Sequence, residues 1–71
     1  MSCNFSTMLN RLKNYDDMIA YRKGWDDDRW IYVGTLPNRM SALYVHEGVY
    51  SYPYSVQQTD IFANDWEVEN G

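Results

Sequence analysis

The sequence predicts an α+β fold with one N-terminal amphipathic helix packed on a small antiparallel β-sheet, and a short helical turn before the last strand. Apolar residues recur at positions 5, 8, 9 and 12, which share one face of a helix. Between positions 18 and 54, alternating segments separated by polar or glycine-containing turns are typical of antiparallel strands. A chain of 71 residues has room for one domain, so we expect a single domain over residues 1–71.

The first helix is predicted over about residues 5–13. Asn4 or Ser2 can cap its first turn, because a side-chain oxygen there accepts a hydrogen bond from a backbone N–H that the helix leaves unpaired. Lys13 lies near the other end, where a cation interacts favourably with the helix dipole. We expect a turn at residues 14–16.

A hairpin is predicted next, with strands at residues 18–23 and 29–33 and the polar loop 24–28 between them. Side chains alternate between the two faces of a strand, so Ile31 is expected on the face opposite Trp30. Each strand therefore has one aliphatic side and one aromatic or polar-tipped side.

The second half of the chain is predicted to extend this sheet. After a loop at residues 35–39, strands at 42–45 and 49–52 are joined through the turn at 47–48. Pro53 cannot donate a backbone hydrogen bond, so its strand should be an edge strand or should end there.

The closing elements are a helical turn and a strand. Thr59 is expected to be the N-cap of a short helical turn that runs to Asn64. A last strand is predicted at residues 66–69, with Trp66 and Val68 turned inward.

Charge and hydropathy restrict the class of partner. The net charge of −4 argues against extended nucleic acid, because such binding depends on neutralising many phosphates. A ligand with one or two phosphates needs only a local pair of cations. No apolar run reaches the roughly 18 residues of a membrane span, and the N-terminus lacks the basic and apolar regions of a secretory signal. We therefore expect a soluble cytoplasmic protein.

The small size of the domain favours self-association. A chain of this length buries only about 60% of its unfolded surface, so its core is marginal. The single cysteine excludes an intramolecular disulfide, and one histidine with one cysteine make no zinc site, so no metal or other cofactor is expected. Three Trp, seven Tyr and two Phe are many rings for so small an interior. Association with copies of the same chain is the leading expectation, and a well-packed monomer is the alternative.

The segment from Arg22 to Tyr32, RKGWDDDRWIY, has the composition of a ligand site. It combines two tryptophans, three basic side chains, a glycine and three consecutive aspartates. Nucleobases stack on Trp and Tyr rings, and guanidinium or ammonium groups bind phosphate oxygens. This pattern indicates a site for a flat, partly anionic ligand.

Four ordered elements carry a family resemblance: the apolar helix face, Arg22-Lys23-Gly24-Trp25, Trp30-Ile31-Tyr32 and Thr59-Asp60-Ile61-Phe62-Ala63-Asn64-Asp65-Trp66-Glu67-Val68. Together they resemble a phage family of small proteins that includes the second type of Thoeris anti-defence protein. Its members carry an A-x-R-x-G-W strand end, a W-I-Y strand and a closing T-D-hydrophobic-hydrophobic-A-x-D-W element. The order and approximate spacing agree over nearly the whole chain.

The resemblance implies a sponge and not an enzyme. Such proteins bind cyclic nucleotide signals made by bacterial immune systems and hold them without cleavage. The Thoeris signal is a cyclic ADP-ribose isomer, and some relatives also take cyclic di- or oligonucleotides. Family members assemble as homotetramers with pockets between protomers, and a phage-encoded member would act in the host cytoplasm. The segment 33–58 is compact compared with the family, so ligand contacts from that region are not transferred.

Six residues are the candidate ligand-binding set: Arg22, Lys23, Trp25, Trp30, Asp60 and Asp65. Arg22 and Lys23 are expected on opposite strand faces, and Arg22 is preferred because its guanidinium can engage phosphate with two hydrogen bonds. Its alternative role is an ion pair with an aspartate of the 26–28 loop.

The remaining candidates also have structural alternatives. Trp25 either presents its ring to a ligand or folds back over the sheet, and Trp30 has a core position as its alternative. Asp60 and Asp65 can accept hydrogen bonds from ribose hydroxyls or base N–H groups, whereas a carboxylate after Thr59 also suits a helix N-terminus. Of the two aspartates, Asp65 is preferred for ligand contact.

No catalytic residues are expected. His46 is the only histidine, and no set of nucleophile, base and orienting group can be assembled around it. The alternative function is a small acidic interaction module that binds and inhibits a host protein through its tyrosine-rich surface.

Overall fold

The computed structural model describes residues 2–15 and 17–71. The elements in chain order are α1 (Phe5–Asn14), β1 (Met18–Arg22), β2 (Arg29–Thr35), β3 (Ser41–Glu47), β4 (Tyr50–Pro53), α2 (Gln58–Ile61) and β5 (Trp66–Asn70). The strands form one antiparallel sheet in the order β4-β3-β2-β1-β5. The predicted α+β architecture is confirmed. The predicted turn at 14–16 includes Asp16, which lies outside the described residues.

Helix α1 begins at a side-chain cap. The Asn4 side-chain oxygen accepts a hydrogen bond from the backbone N–H of Thr7 at 2.8 Å, so Asn4 is the N-cap and not Ser2. Met8 and Leu12, one turn apart, are buried against the sheet. The periodicity of the apolar residues therefore predicted both the helix and its buried face.

One face of the sheet, the inner face, carries the core beneath α1. The strand register aligns a row across the sheet: Tyr52, Val45, Ile31, Ala20 and Val68. Val45, Ile31 and Ala20 are almost fully buried, and Trp66 at the start of β5 is completely buried. The alternation of strand side chains predicted this face correctly, including the inward position of Trp66 and Val68.

The opposite face, the outer face, is rich in aromatic rings. Trp30 stacks on His46 with ring centres 4.3 Å apart, and the Tyr32 and Tyr44 rings lie 5.9 Å apart. Gly34 makes room for Tyr44, because a Cβ at that position would lie 2.6 Å from two carbons of the ring. In the part of the chain that the structure describes, both helices pack on the core side, so these rings are left half-exposed.

Several sequence predictions about boundaries are wrong. Lys23 and Val49, expected in strands, lie outside β1 and β4, and α2 ends at Ile61 and not at Asn64. Thr59 is not the N-cap of α2, because the helix begins at Gln58 after Gln57, which makes no side-chain capping bond. The position of this turn is set instead by Asp60, which is buried and bound to the sheet as described below. Thr35, expected in a loop, still pairs with Ser41 at the end of β2.

Pro53 was predicted to lie in an edge strand or to end its strand, and it does both. It is the last residue of β4, which lies at the edge of the sheet. Neither helix of the described chain is long and apolar enough to cross a membrane.

Candidate ligand-binding site

Three of the six candidate residues meet in a charged network on the inner face. Arg22 at the end of β1 donates from Nε to Asp65 at 2.9 Å and from Nη1 to Asp60 at 3.0 Å. Tyr54 donates its hydroxyl to the other oxygen of Asp60 at 2.5 Å. Asp60 is 6% exposed, so its carboxylate is held almost wholly by protein donors.

The hydrogen bonds of this network shift the pKa values of Arg22 and Tyr54. The hydrogen bonds to Asp65 and Asp60 raise the pKa of the Arg22 guanidinium. Burial, and then the hydrogen bond to Asp60, raise the pKa of Tyr54 far above its usual range. The sequence alternative, an ion pair from Arg22 to the 26–28 loop, is wrong because Arg22 is bound by Asp60 and Asp65.

The network also fixes the segment before β5. The Trp66 indole N–H donates to the backbone oxygen of Asp60 at 2.9 Å. The backbone N–H of Lys23 donates to the backbone oxygen of Asp65 at 3.2 Å, while the Lys23 side chain is exposed. The closing motif and the end of β1 are therefore joined by both side-chain and backbone bonds.

Trp25 folds back over the inner side of the hairpin. Its ring meets the edge of Trp66 at 5.4 Å, and the Arg29 guanidinium lies 4.4 Å above its centre. Of the two roles considered for Trp25, the structure favours packing against the core, although the residue stays half-buried and lines a cleft.

Trp30 faces the other way. It is half-buried on the outer face, where its ring stacks on His46. The alternative of a core position for Trp30 is wrong, since the strand alternation that buries Ile31 places its neighbour on the opposite face.

The two tryptophans of the hairpin come together at a cleft of about 320 Å³ beside the β1–β2 turn. Its walls combine aromatic, aliphatic, acidic and basic side chains: Ile19, Tyr21, Trp25, Asp26, Asp27, Arg29, Trp30 and Glu69. We call this the hairpin cleft. A partly enclosed site with several aromatic walls and a few polar groups is typical of small-molecule binding.

Arg29 is the cation of the hairpin cleft. It forms an ion pair with Glu47 at 3.4 Å, and its Nε makes no hydrogen bond in the described structure. Arg29, Tyr21 and Glu69 were not in the predicted set. Alternation along β1 places Tyr21 on the same face as Ile19, so the sequence could have indicated Tyr21. Glu69 could not be identified without the β1–β5 pairing, in which it lies opposite Ile19.

The largest depressions elsewhere are less suited to a flat ligand. Two open depressions of about 500 and 520 Å³ lie beside α1, and Tyr15 is the only ring in the lining of either. Among the described residues, no group of three or more His, Cys, Asp or Glu side chains is placed to hold a metal ion.

Comparison with known protein families gives a match over the same elements. The sequence model of the Tad2-like family, described as the Thoeris anti-defense 2-like domain, matches residues 3–69. No match was found among curated proteins. The family match includes α1, the hairpin with its cleft and the closing segment that holds Asp60 and Asp65. Because it covers nearly the entire chain, the protein belongs to the Tad2-like family, and its role is in Thoeris anti-defence.

Proposed function

We propose that the protein is a sponge that binds a cyclic nucleotide immune signal and releases it uncleaved. The signal would be a cyclic ADP-ribose isomer or a cyclic di- or oligonucleotide. The observation that carries the proposal is the hairpin cleft, where the rings of Tyr21, Trp25 and Trp30 line one cavity next to Arg29. Stacking on such rings contributes roughly 1–3 kcal/mol per base.

We also propose that the sponge catalyses no reaction on its ligand. The His46 ring is stacked on Trp30, and its Nδ1 lies 3.4 Å from the Ser51 hydroxyl on the outer face. Both residues are in strands away from the carboxylate network, so they offer no acid–base pair to it. A protein without a reaction lowers the free concentration of a signal by affinity and abundance alone.

We further propose that the functional form is a homo-oligomer, a tetramer by the family resemblance, located in the cytoplasm of the host bacterium. The monomer exposes large apolar side chains: Tyr15, Met40, Val49, Tyr50, Tyr52, Val56, Ile61 and Phe62. Burial of such residues between protomers would add the apolar area that the small core lacks. Light scattering after size-exclusion chromatography should give a mass several times 8.5 kDa.

Titration calorimetry with cyclic ADP-ribose isomers and cyclic di- and trinucleotides tests the sponge. We expect at least one sub-micromolar ligand, and mass spectrometry of the material released by heat should return it with an unchanged mass. The proposal is wrong if no such ligand binds, or if the recovered nucleotide is cleaved.

A host-protein inhibitor is the second candidate function. The exposure of Ile61 at 45% and Phe62 at 80% on the α2 turn favours it, because an exposed apolar patch also suits a protein partner. A stoichiometric host protein in a pull-down, with no nucleotide in the denatured extract, would favour this function over the sponge.

A further inference from the structure

The charge balance of the hairpin cleft differs from that of a phosphate site. Three carboxylates line it, from Asp26, Asp27 and Glu69, against the single guanidinium of Arg29. That guanidinium is already engaged, since it lies over the Trp25 ring and pairs with Glu47. The cleft is therefore negative, although it lies in the segment whose basic residues first indicated phosphate binding.

The pKa of Tyr21 is affected by the same carboxylates. Partial burial, and then the charge of Glu69 and the hydrogen bond to it, raise the pKa of Tyr21, with further contributions from Glu67 and Asp27. The Tyr21 hydroxyl donates to Glu69 at 3.2 Å. Carboxylates on the hairpin loop and on β5 thus act together at one ring of the cleft.

We infer that the hairpin cleft takes the base of a bound nucleotide and leaves its phosphates outside, and that it selects bases with an exocyclic amino group. This inference rests on the proposed sponge function. An amino group offers N–H donors to carboxylates, which only accept hydrogen bonds when ionised. A carbonyl at the same position on the ring would face the carboxylates as a second acceptor and would be repelled.

The walls of the cleft are suited to holding such a ring in one plane. Trp30 is fixed by its stack on His46, and Trp25 by its edge contact with Trp66. The loop between them is tied at both ends, by bonds from Trp25 N–H to the Arg22 backbone oxygen and from Arg29 N–H to that of Asp26. A preformed cleft loses little entropy on binding, so its hydrogen bonds contribute to selectivity.

The test compares ligands that differ only at the base. Cyclic di-AMP and cyclic di-GMP are titrated against cyclic di-IMP, in which adenine's 6-amino group becomes a carbonyl or guanine's 2-amino group is removed. Cyclic ADP-ribose is compared with cyclic IDP-ribose in the same way. We expect each amino-bearing ligand that binds to do so about tenfold more tightly than its analogue, as for hydrogen bonds to charged groups.

Asp27→Asn is the informative variant, and Asp28→Asn is its matched control. Both remove one negative charge from the same exposed loop, but only Asp27 lines the cleft. Asp27→Asn should reduce the preference for amino-bearing bases to about threefold or less, whereas Asp28→Asn should preserve it. If phosphate occupied the cleft, Asp27→Asn would instead tighten all ligands equally, and the inference would be wrong.

The outcomes also separate this inference from the proposed function. Binding of both members of each ligand pair with equal affinity would overturn the base selectivity and leave the sponge intact. Failure of every cyclic nucleotide to bind would overturn the sponge, and the selectivity with it.

Discussion

Two arginines of the same hairpin have different surroundings in the structure. Arg22, on the inner face, makes two hydrogen-bonded ion pairs with Asp65 and Asp60 at 2.9 and 3.0 Å. Arg29, at the hairpin cleft, has one ion pair at 3.4 Å and an Nε without a hydrogen bond in the described structure. Arg22 was the preferred ligand residue, yet its Nε and Nη1 already donate to carboxylates of the protein.

The comparison shows that residue type does not distinguish an arginine within a structural network from one that borders a cavity. Both regions contain tryptophan, arginine and aspartate. In the network of Arg22, Asp60, Asp65 and Tyr54, both carboxylates are paired with the guanidinium, and Asp60 is buried. In the hairpin cleft, by contrast, the three carboxylates face the cavity. We therefore expect changes in the network to affect stability, and changes in the cleft to affect ligand binding.

The largest expected effect on stability is that of Asp60→Ala. Removal of this buried carboxylate leaves Tyr54 without its acceptor and Arg22 with only Asp65, so we expect a loss of about 3 kcal/mol in the free energy of unfolding. Urea denaturation at one fixed protein concentration measures it. Asp65→Ala is the control, because the side chain of Asp65 is 35% exposed and the expected loss is about 1 kcal/mol. Equal losses for the two variants would contradict a central role for Asp60.

Trp30→Ala should have the largest effect on binding. Loss of one stacking wall of the cleft should weaken binding of a cyclic nucleotide ligand by about 2 kcal/mol, roughly thirtyfold, by calorimetry. Unfolding should change less, because Trp30 is only half-buried. A Trp30→Ala variant that binds as tightly as the wild type would exclude the hairpin cleft as the ligand site.

Gly34→Ala should destabilise the outer face by about 1–2 kcal/mol, since the new methyl group would overlap the Tyr44 ring. Thermal unfolding followed by circular dichroism measures the change. The double variant Gly34→Ala/Tyr44→Ala provides the control. The alanine at 34 should cost less there than in the wild-type background, and an unchanged cost would show that the ring contact is not its cause.

The smallest expected effect is on the pH dependence of stability. The pKa of Tyr54 is raised in the folded state by burial and by Asp60, so the folded protein holds this proton more tightly than the unfolded chain. The contribution of Tyr54 to the free energy of unfolding should therefore be fully present below the unfolded pKa of about 10 and should fall as the pH rises above it. Tyr54→Phe should reduce the fall relative to the wild type. An equal fall in the two proteins would contradict the assignment.

Much of the fold could be predicted because its signals are local. The spacing of Met8 and Leu12 gave the helix and its buried face, and the lack of an N–H at Pro53 restricted its strand to an edge. The motif from Thr59 to Trp66 gave the closing elements, although the cap of α2 was misplaced. Local pattern cannot show that Asp60 is bound by Arg22, which lies 38 positions away in β1.

The site was harder to predict because its partners are far apart in sequence. Arg22 binds carboxylates that are 38 and 43 positions away, and the wall that Glu69 adds to the cleft depends on the register between β1 and β5. The prediction that Trp25 and Trp30 belong to a ligand site stays a prediction, now with a cleft that brings them together. The predicted role of Lys23 in ligand binding also stays a prediction, and its side chain is exposed.

The central claim is that ligand enters the hairpin cleft while the Arg22 network keeps its ion pairs. The three indole N–H groups offer the most direct test of it. Each gives a separate signal in a two-dimensional ¹H–¹⁵N NMR spectrum during titration with a cyclic nucleotide ligand. The account predicts the largest shifts for Trp30 and Trp25, and the smallest for Trp66, whose N–H is bound to the Asp60 backbone oxygen at 2.9 Å. A dominant shift at Trp66 with Trp30 unchanged would contradict it.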